Sequence, residues 1–130
     1  MPIKFEPRRN MPGRRAADLT VTLRKQANQV YVGLELRLSQ DTQQRLRYLN
    51  GDRAVVEFDE TSGSVGIERV AGDRTGYKIV LNERADGRPV AYIKLTCTPD
   101  EAGQLLGDRS AKDFELFEVD GNKVTFVAMS

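Results

Sequence analysis

Residues that could carry out chemistry are scarce in this sequence. Its 130 residues include no histidine, no tryptophan and a single cysteine, Cys97. Serine and cysteine nucleophiles of the usual triads need an imidazole base, and a structural zinc site needs about four Cys or His ligands. We therefore expect a protein that is not an enzyme and that holds neither a metal ion nor a small-molecule cofactor.

The remaining reactive side chains have ordinary structural explanations. Cys97 falls on the inward face of a predicted strand, which favours a core thiol over a nucleophile. The acidic residues Asp59-Glu60 and Glu118 and Asp120 fall at predicted turns, where carboxylates favour turn formation and solubility. A lone cysteine and the lack of an apolar run of membrane-spanning length predict a cytoplasmic protein with no membrane partner.

Charge is distributed unevenly along the chain. The net charge is +1, but residues 1–25 carry +5 and the remainder carries −4. We predict a basic flexible arm over residues 1–18 and a single β-rich domain over residues 19–130, since prolines interrupt any helix in the arm. A basic arm on an acidic body is one footprint of a chain that contacts a polyanion. A solvated leader kept soluble by its arginines is the other interpretation.

Alternating apolar and polar residues predict two strands at the start of the domain, over residues 19–25 and 30–38. The side chains expected to point inward are Leu19, Val21, Leu23, Val30, Val32, Leu34, Leu36 and Leu38. Ser39 is placed to cap a short helix after the second strand. We expect Leu49 on the buried side of this helix and Asn50-Gly51 at its end.

The order strand, short capped helix, hairpin occurs twice. Repeat one covers residues 30–70, repeat two covers residues 90–128, and a connector with its own short strand lies at 71–89. In repeat two, residues 98–101 form a full capping box with proline at the first helical position. A buried stripe of Ala102, Leu105 and Leu106 follows, and Gly107 ends the helix.

The two repeats align at one constant spacing. Residues 36–39 align with residues 93–96, and Leu49 aligns with Leu106. This spacing favours an internal duplication, although two generic strand-helix units can also match by chance. We therefore predict a mainly β fold, a β-rich α+β barrel built from two strand-helix-hairpin repeats with two short helices.

The first repeat resembles the swapped-hairpin DNA-binding domain of the AbrB, MazE and SpoVT group. The resemblance lies in residues 36–39, in the helix before Leu49, and in Asn50-Gly51-Asp52, a Gly-Asp step that leads into a strand. It covers residues 30–70 well and 90–128 more loosely. It implies a swapped-hairpin barrel of two interleaved copies, both carried by this chain as in MraZ-like proteins, and work as a transcriptional regulator or antitoxin.

Exposed basic residues would make the DNA contacts in such a protein. Arg37 and Lys94 occupy corresponding outward positions in the two repeats, where they would form a pair of phosphate contacts. Tyr31 and Tyr92 also face outward and could stack on bases or fill a protein interface. The residues predicted to bind nucleic acid are Arg8, Arg9, Arg14, Arg15, Arg37, Arg45, Arg47 and Lys94. The expected partner is duplex DNA.

A function of another class also fits the sequence. The chain could be a protein-interaction or structural module, for example an accessory or inhibitor protein of a phage or mobile element. Its strand edges and tyrosines would then dock a partner protein or a second copy of the chain. The acidic body favours this alternative, because a dedicated DNA-binding protein usually carries positive charge beyond its arm.

Overall fold

The computed structural model describes residues 16–24, 30–71, 76–83 and 87–129. Within these ranges the chain forms eight strands and two short helices. The strands are β1 (Leu19–Leu23), β2 (Val32–Leu38), β3 (Arg53–Asp59), β4 (Ser64–Val70), β5 (Tyr77–Glu83), β6 (Pro89–Cys97), β7 (Ala111–Asp120) and β8 (Lys123–Ala128). The helices are α1 (Gln40–Leu46) and α2 (Pro99–Leu106).

The eight strands form one closed antiparallel barrel in the order β1-β2-β6-β5-β3-β4-β8-β7, with β7 paired back to β1. Within the described ranges every strand is paired on both sides, although β3 pairs with β5 only at Arg53 and Ala54, and this limits the free edge of the kind that aggregates. The barrel interior is filled by aliphatic side chains together with Phe114 and Phe126, both fully buried. The predicted mainly β barrel with two short helices is confirmed.

Strand alternation decides which side chains enter this core. The predicted inward residues Leu19, Val21, Val32, Leu34, Leu36 and Leu38 are buried. The prediction was wrong for Leu23 and Val30, which are exposed. Leu23, the last residue of β1, pairs with Leu34 of β2 but has no pair in β7, and Val30 precedes β2.

Helix α1 ends earlier than the sequence predicts. Ser39 caps it as expected, with its hydroxyl oxygen accepting a hydrogen bond from the Thr42 N–H. Arg47, in the left-handed conformation at φ 57°, ends the helix in place of Asn50-Gly51. The prediction of a buried Leu49 was wrong, because 67% of this residue is exposed.

Tyr48 takes the buried place predicted for Leu49. The buried side chain of Gln43 donates from Nε2 to the Tyr48 carbonyl oxygen at 2.8 Å, which fixes the chain just after the helix. Only 4% of Tyr48 is exposed. A polar contact between side chain and backbone therefore selects which residue of this loop enters the core.

The capping box of α2 is confirmed. The Thr98 hydroxyl accepts from the Glu101 N–H at 3.2 Å, and the Glu101 carboxylate accepts from the Thr98 N–H at 2.8 Å. The predicted stripe of Ala102, Leu105 and Leu106 is buried. Gly107 ends the helix with a φ of 67°, a conformation that favours glycine.

The strand order has a twofold symmetry. Exchanging β1 with β5, β2 with β6, β3 with β7 and β4 with β8 leaves the order of the closed barrel unchanged. Leu36 lies opposite Ile93 and Ile67 lies opposite Val124, and in both pairs the residue numbers differ by 57. Both pairs therefore lie on the approximate axis.

Each half of the barrel consequently contains two strands, a helix and a hairpin. Val21 of β1 lies opposite Leu36, and Ile79 of β5 lies opposite Ile93, so β1 and β5 are counterparts. The predicted repeats, residues 30–70 and 90–128, included neither β1 nor β5. The arrangement has the symmetry that a duplicated unit requires, and the duplication itself stays a prediction.

Arg69 of β4 holds the loop between α1 and β3 in place. Its guanidinium carbon lies 4.8 Å from the centroid of the Tyr48 ring, and its Nη2 donates to the Arg47 carbonyl oxygen at 2.9 Å. Its Nε lies 3.2 Å from Asp52 Oδ2, an ion pair without a well-aligned hydrogen bond. The same Asp52 oxygen accepts from the Leu49 N–H at 2.8 Å.

Burial raises the pKa of Tyr48 from 10.0 to about 12, with Arg69 opposing the rise and Asp52 adding to it. The unfolded chain therefore loses the Tyr48 proton first as pH increases. We expect the contribution of Tyr48 to the free energy of unfolding to be intact below its pKa in the unfolded chain. Above that pH the contribution should fall by about 1.4 kcal/mol per pH unit until the pKa of the folded state is reached. Urea unfolding across this alkaline range should show a shallower decline for Tyr48→Phe than for the wild type. Equal declines in the wild type and in Tyr48→Phe would contradict a raised pKa of Tyr48.

Asp18 joins three elements at the start of β1. Its Oδ2 accepts from the Leu116 N–H of β7 at 2.7 Å, and its Oδ1 lies 3.4 Å from the hydroxyl of Thr42 in α1. Its backbone N–H donates to the Phe114 carbonyl oxygen, and its own carbonyl oxygen accepts from the Ser39 N–H, both at 3.0 Å.

Removing the Asp18 carboxylate should leave the Leu116 N–H without its acceptor. We expect Asp18→Ala to lower the free energy of unfolding by about 1–3 kcal/mol. Asp18→Asn retains one oxygen acceptor and should recover most of this loss. Urea denaturation monitored by circular dichroism measures both variants, and an unchanged midpoint for Asp18→Ala would show that the contact is dispensable.

Candidate nucleic-acid interface

The outward residues of β2 and β6 form a compact block on the barrel surface. Arg37 lies opposite Tyr92, and Glu35 lies opposite Lys94. Arg37 and Lys94 are diagonal neighbours in this antiparallel pair, a relation that typically separates Cα atoms by about 7–8 Å. Both are exposed, and the buried pair of Leu36 and Ile93 lies directly beneath them.

Strand β5 extends this block on one side. Val80 lies opposite Tyr92 and is exposed, and Lys78 precedes Ile79, the residue opposite Ile93. Alternation along β5 therefore places Lys78 beside Lys94. These strands form the floor of an open cleft of about 600 Å³. Its lining residues are Glu35, Lys78, Val80, Leu81, Asn82, Tyr92 and Lys94.

Positive charge dominates this surface. Among the described residues that line the cleft, Glu35 is the single carboxylate, and it forms an ion pair with Arg24 at 2.8 Å. Among the described residues, Arg37, Lys78 and Lys94 have no carboxylate within ion-pair distance. We call the surface formed by Arg24, Glu35, Arg37, Lys78, Val80, Tyr92 and Lys94 the basic face.

The structure brings together only some of the predicted binding residues. Arg37 and Lys94 lie side by side on the basic face. Arg45 is exposed in the last turn of α1 and Arg47 follows the helix, and neither lines the cleft. The four arm arginines lie outside the described residues, so their role stays a prediction: Arg8, Arg9, Arg14 and Arg15.

Four residues of the basic face were not predicted as binding residues: Arg24, Glu35, Lys78 and Val80. Lys78 and Val80 belong to a strand that was assigned to the connector, so no partner strand was considered for it. The alternation of Lys78 and Val80 with the inward Ile79 was a usable signal. The pairing of β5 with β6, which places Lys78 beside Lys94, could not be predicted from the pattern of β5 alone.

The opposite side of the barrel is acidic. An open cleft of about 510 Å³ beside β3, β4 and β8 is lined by Glu57, Asp59 and Glu60. Lys123 lies in the same cleft, with its Nζ 3.8 Å from Glu57 Oε2. Asp59 has the predicted turn role, since its Oδ1 accepts from the Thr61 N–H at 3.0 Å.

No group of three or more His, Cys, Asp or Glu side chains in the described part of the chain is placed to hold a metal ion. Cys97 is half-buried, and burial together with the nearby Glu101 carboxylate raises the pKa of its thiol. A raised pKa lowers the fraction of the thiolate, the nucleophilic form, at neutral pH.

None of the helices in the described ranges is long and apolar enough to cross a membrane. No protein family, curated protein or solved structure matches this chain.

Proposed function

We propose that this protein binds duplex DNA through the basic face and acts as a transcriptional regulator of the AbrB-like type. The observation that carries the proposal is the grouping of Arg37, Lys78 and Lys94 around Tyr92. These three cations are exposed and have no ionic partner among the described residues. Cations of this kind are free to replace the counterions that surround DNA phosphates.

The remaining charges of the barrel support binding on this side. The Arg24–Glu35 ion pair is solvent-exposed on the arginine side, so it contributes little stability and can yield to a phosphate contact. The acidic residues Glu57, Asp59 and Glu60 lie on the other side of the barrel. A phosphate backbone is therefore attracted to one side and repelled by the other, which orients the protein as it approaches.

The twofold symmetry also supports a DNA ligand. Arg37 and Lys94 are counterparts about the axis through the Leu36–Ile93 pair. Operator palindromes usually reflect the twofold symmetry of a protein dimer. In this chain one molecule presents equivalent cations on both sides of an axis, so it can face a DNA dyad without dimerising.

The salt dependence of DNA binding tests the proposal. We expect the Arg37→Ala, Lys94→Ala double variant to bind a fluorescent duplex more weakly and to reduce the slope of log K against log salt by about 2. Adding Lys78→Ala should reduce the slope by about one more. Fluorescence anisotropy between about 50 and 200 mM salt measures each slope.

Lys123→Ala is the matched control, because it removes an exposed lysine from the acidic side. It should leave both affinity and slope unchanged. Deleting residues 1–15 measures the contribution of the arm separately. The proposal fails if the wild type does not bind at the lowest salt, or if Lys123→Ala weakens binding as much as the double variant.

A protein interface is the second candidate function, favoured by one exposed aromatic residue. Phe117 of β7 is 66% exposed at an irregularity in the pairing of β7 with β8, between Leu116 and Glu118. Val119 beside it is also exposed. Sedimentation velocity across a concentration series distinguishes this function: association that disappears in Phe117→Ser supports self-association through β7, and a wild-type monomer at every concentration argues against it.

A further inference from the structure

The barrel wall is weakest between β3 and β5. These strands pair only at Arg53 with Lys78 and at Ala54 with Tyr77, where β5 begins. Within the described ranges, no strand pairs with residues 55–59 on this side of β3. The opening leads to the interior beside α2.

A cavity of about 250 Å³ lies at this opening. We call it the α2 cleft, and its apolar lining includes Val56, Phe58, Tyr77, Leu95 and Leu105. Thr96, Glu101 and Gln104 provide polar groups in the same lining, and none of the residues of the basic face takes part. A cavity that combines apolar side chains with a few polar groups is the usual form of a small-molecule site.

The equivalent place in the other half of the barrel is filled. Val56 lies opposite Ile67 and Val119 lies opposite Val124, so these two valines are counterparts. Beside Val119 the ring of Tyr48 occupies the space, and only about 40 Å³ remains there.

One sequence difference accounts for the unequal space. The chain after α2 begins with Gly107 and supplies no counterpart of Tyr48.

We propose that the α2 cleft binds a small uncharged aromatic molecule, in the place that Tyr48 fills in the other half. An apolar cavity of about 150 Å³ is large enough to bind benzene, so this larger cleft accepts a fused ring such as indole. The Gln104 amide and the Thr96 hydroxyl offer partners for a ring N–H or O–H group. The site is independent of DNA binding.

Charge at the cleft selects against anions. The Glu101 carboxylate lines the cleft and is held there by the Thr98 N–H at 2.8 Å. The pKa of Cys97, in the same lining, is raised first by burial and then by Glu101. A cleft lined by a carboxylate disfavours a second negative charge. An aromatic carboxylate is therefore expected to bind at least tenfold more weakly than the neutral ring.

Titration of the full chain with indole tests the proposal by methyl NMR. We expect saturable shifts at Val56, Leu95 and Leu105, and weaker binding of indole-3-carboxylate. Saturating indole should also slow the reaction of Cys97 with methyl methanethiosulfonate. Indole that causes no saturable shift up to its solubility limit, or that leaves the Cys97 reaction rate unchanged, would overturn the proposal.

Filling the cleft provides the mutational test. Val56→Phe should weaken indole binding at least tenfold, whereas Val119→Phe, at the counterpart position, should leave it unchanged. Circular dichroism checks that both variants fold, and if Val56→Phe does not, protection of Cys97 in the wild type decides the question. Equal weakening by the two variants, or equal affinity for indole and its carboxylate, would refute the site. Either outcome is separate from the DNA result, because the basic face is unaltered.

Discussion

The antiparallel pairing of β2 with β6 is the interaction on which the rest of the structure depends. It joins the two halves of the chain, and its central residues Leu36 and Ile93 are almost completely buried. The flanking strands β1 and β5 extend the same buried row with Val21 and Ile79. Because neighbouring residues in a strand point to opposite faces, the register that buries this row also fixes which cations meet outside it. A shift of one residue would exchange core and surface.

Local patterns predicted much of this fold, and contacts distant in sequence account for what they missed. Alternation identified β2, and the capping box identified the start of α2, because both signals depend on a few adjacent residues. Leu49 was misplaced because the Gln43–Tyr48 contact, which no periodicity reveals, decides which residue is buried. The candidate site was predicted only in part, because part of it depends on contacts between residues distant in sequence. Outward positions of Arg37 and Lys94 follow from alternation, whereas Lys78 joins them only through the pairing of β5 with β6.

Charge and shape divide the barrel into regions with different capacities. Among the described residues, cations without an ionic partner lie on one side and carboxylates lie on the other, and the α2 cleft lies at the weak join between β3 and β5. Symmetry in strand order therefore coexists with inequality in side chains. The side chain of Tyr48 beside Val119 and the α2 cleft beside Val56 show how one backbone plan can hold two different interiors.

The pairing of β1 with β7 has a consequence for synthesis of the chain. Leu19 meets Phe114, and these residues lie near opposite ends of the sequence. During synthesis β1 leaves the ribosome long before β7 has been made. The edge of β1 that pairs with β7 therefore stays unpaired while most of the protein is synthesised. Contacts between residues so distant in sequence form slowly, and unpaired strand edges are prone to aggregate. The short length of β1, only five residues, limits the edge exposed during that interval.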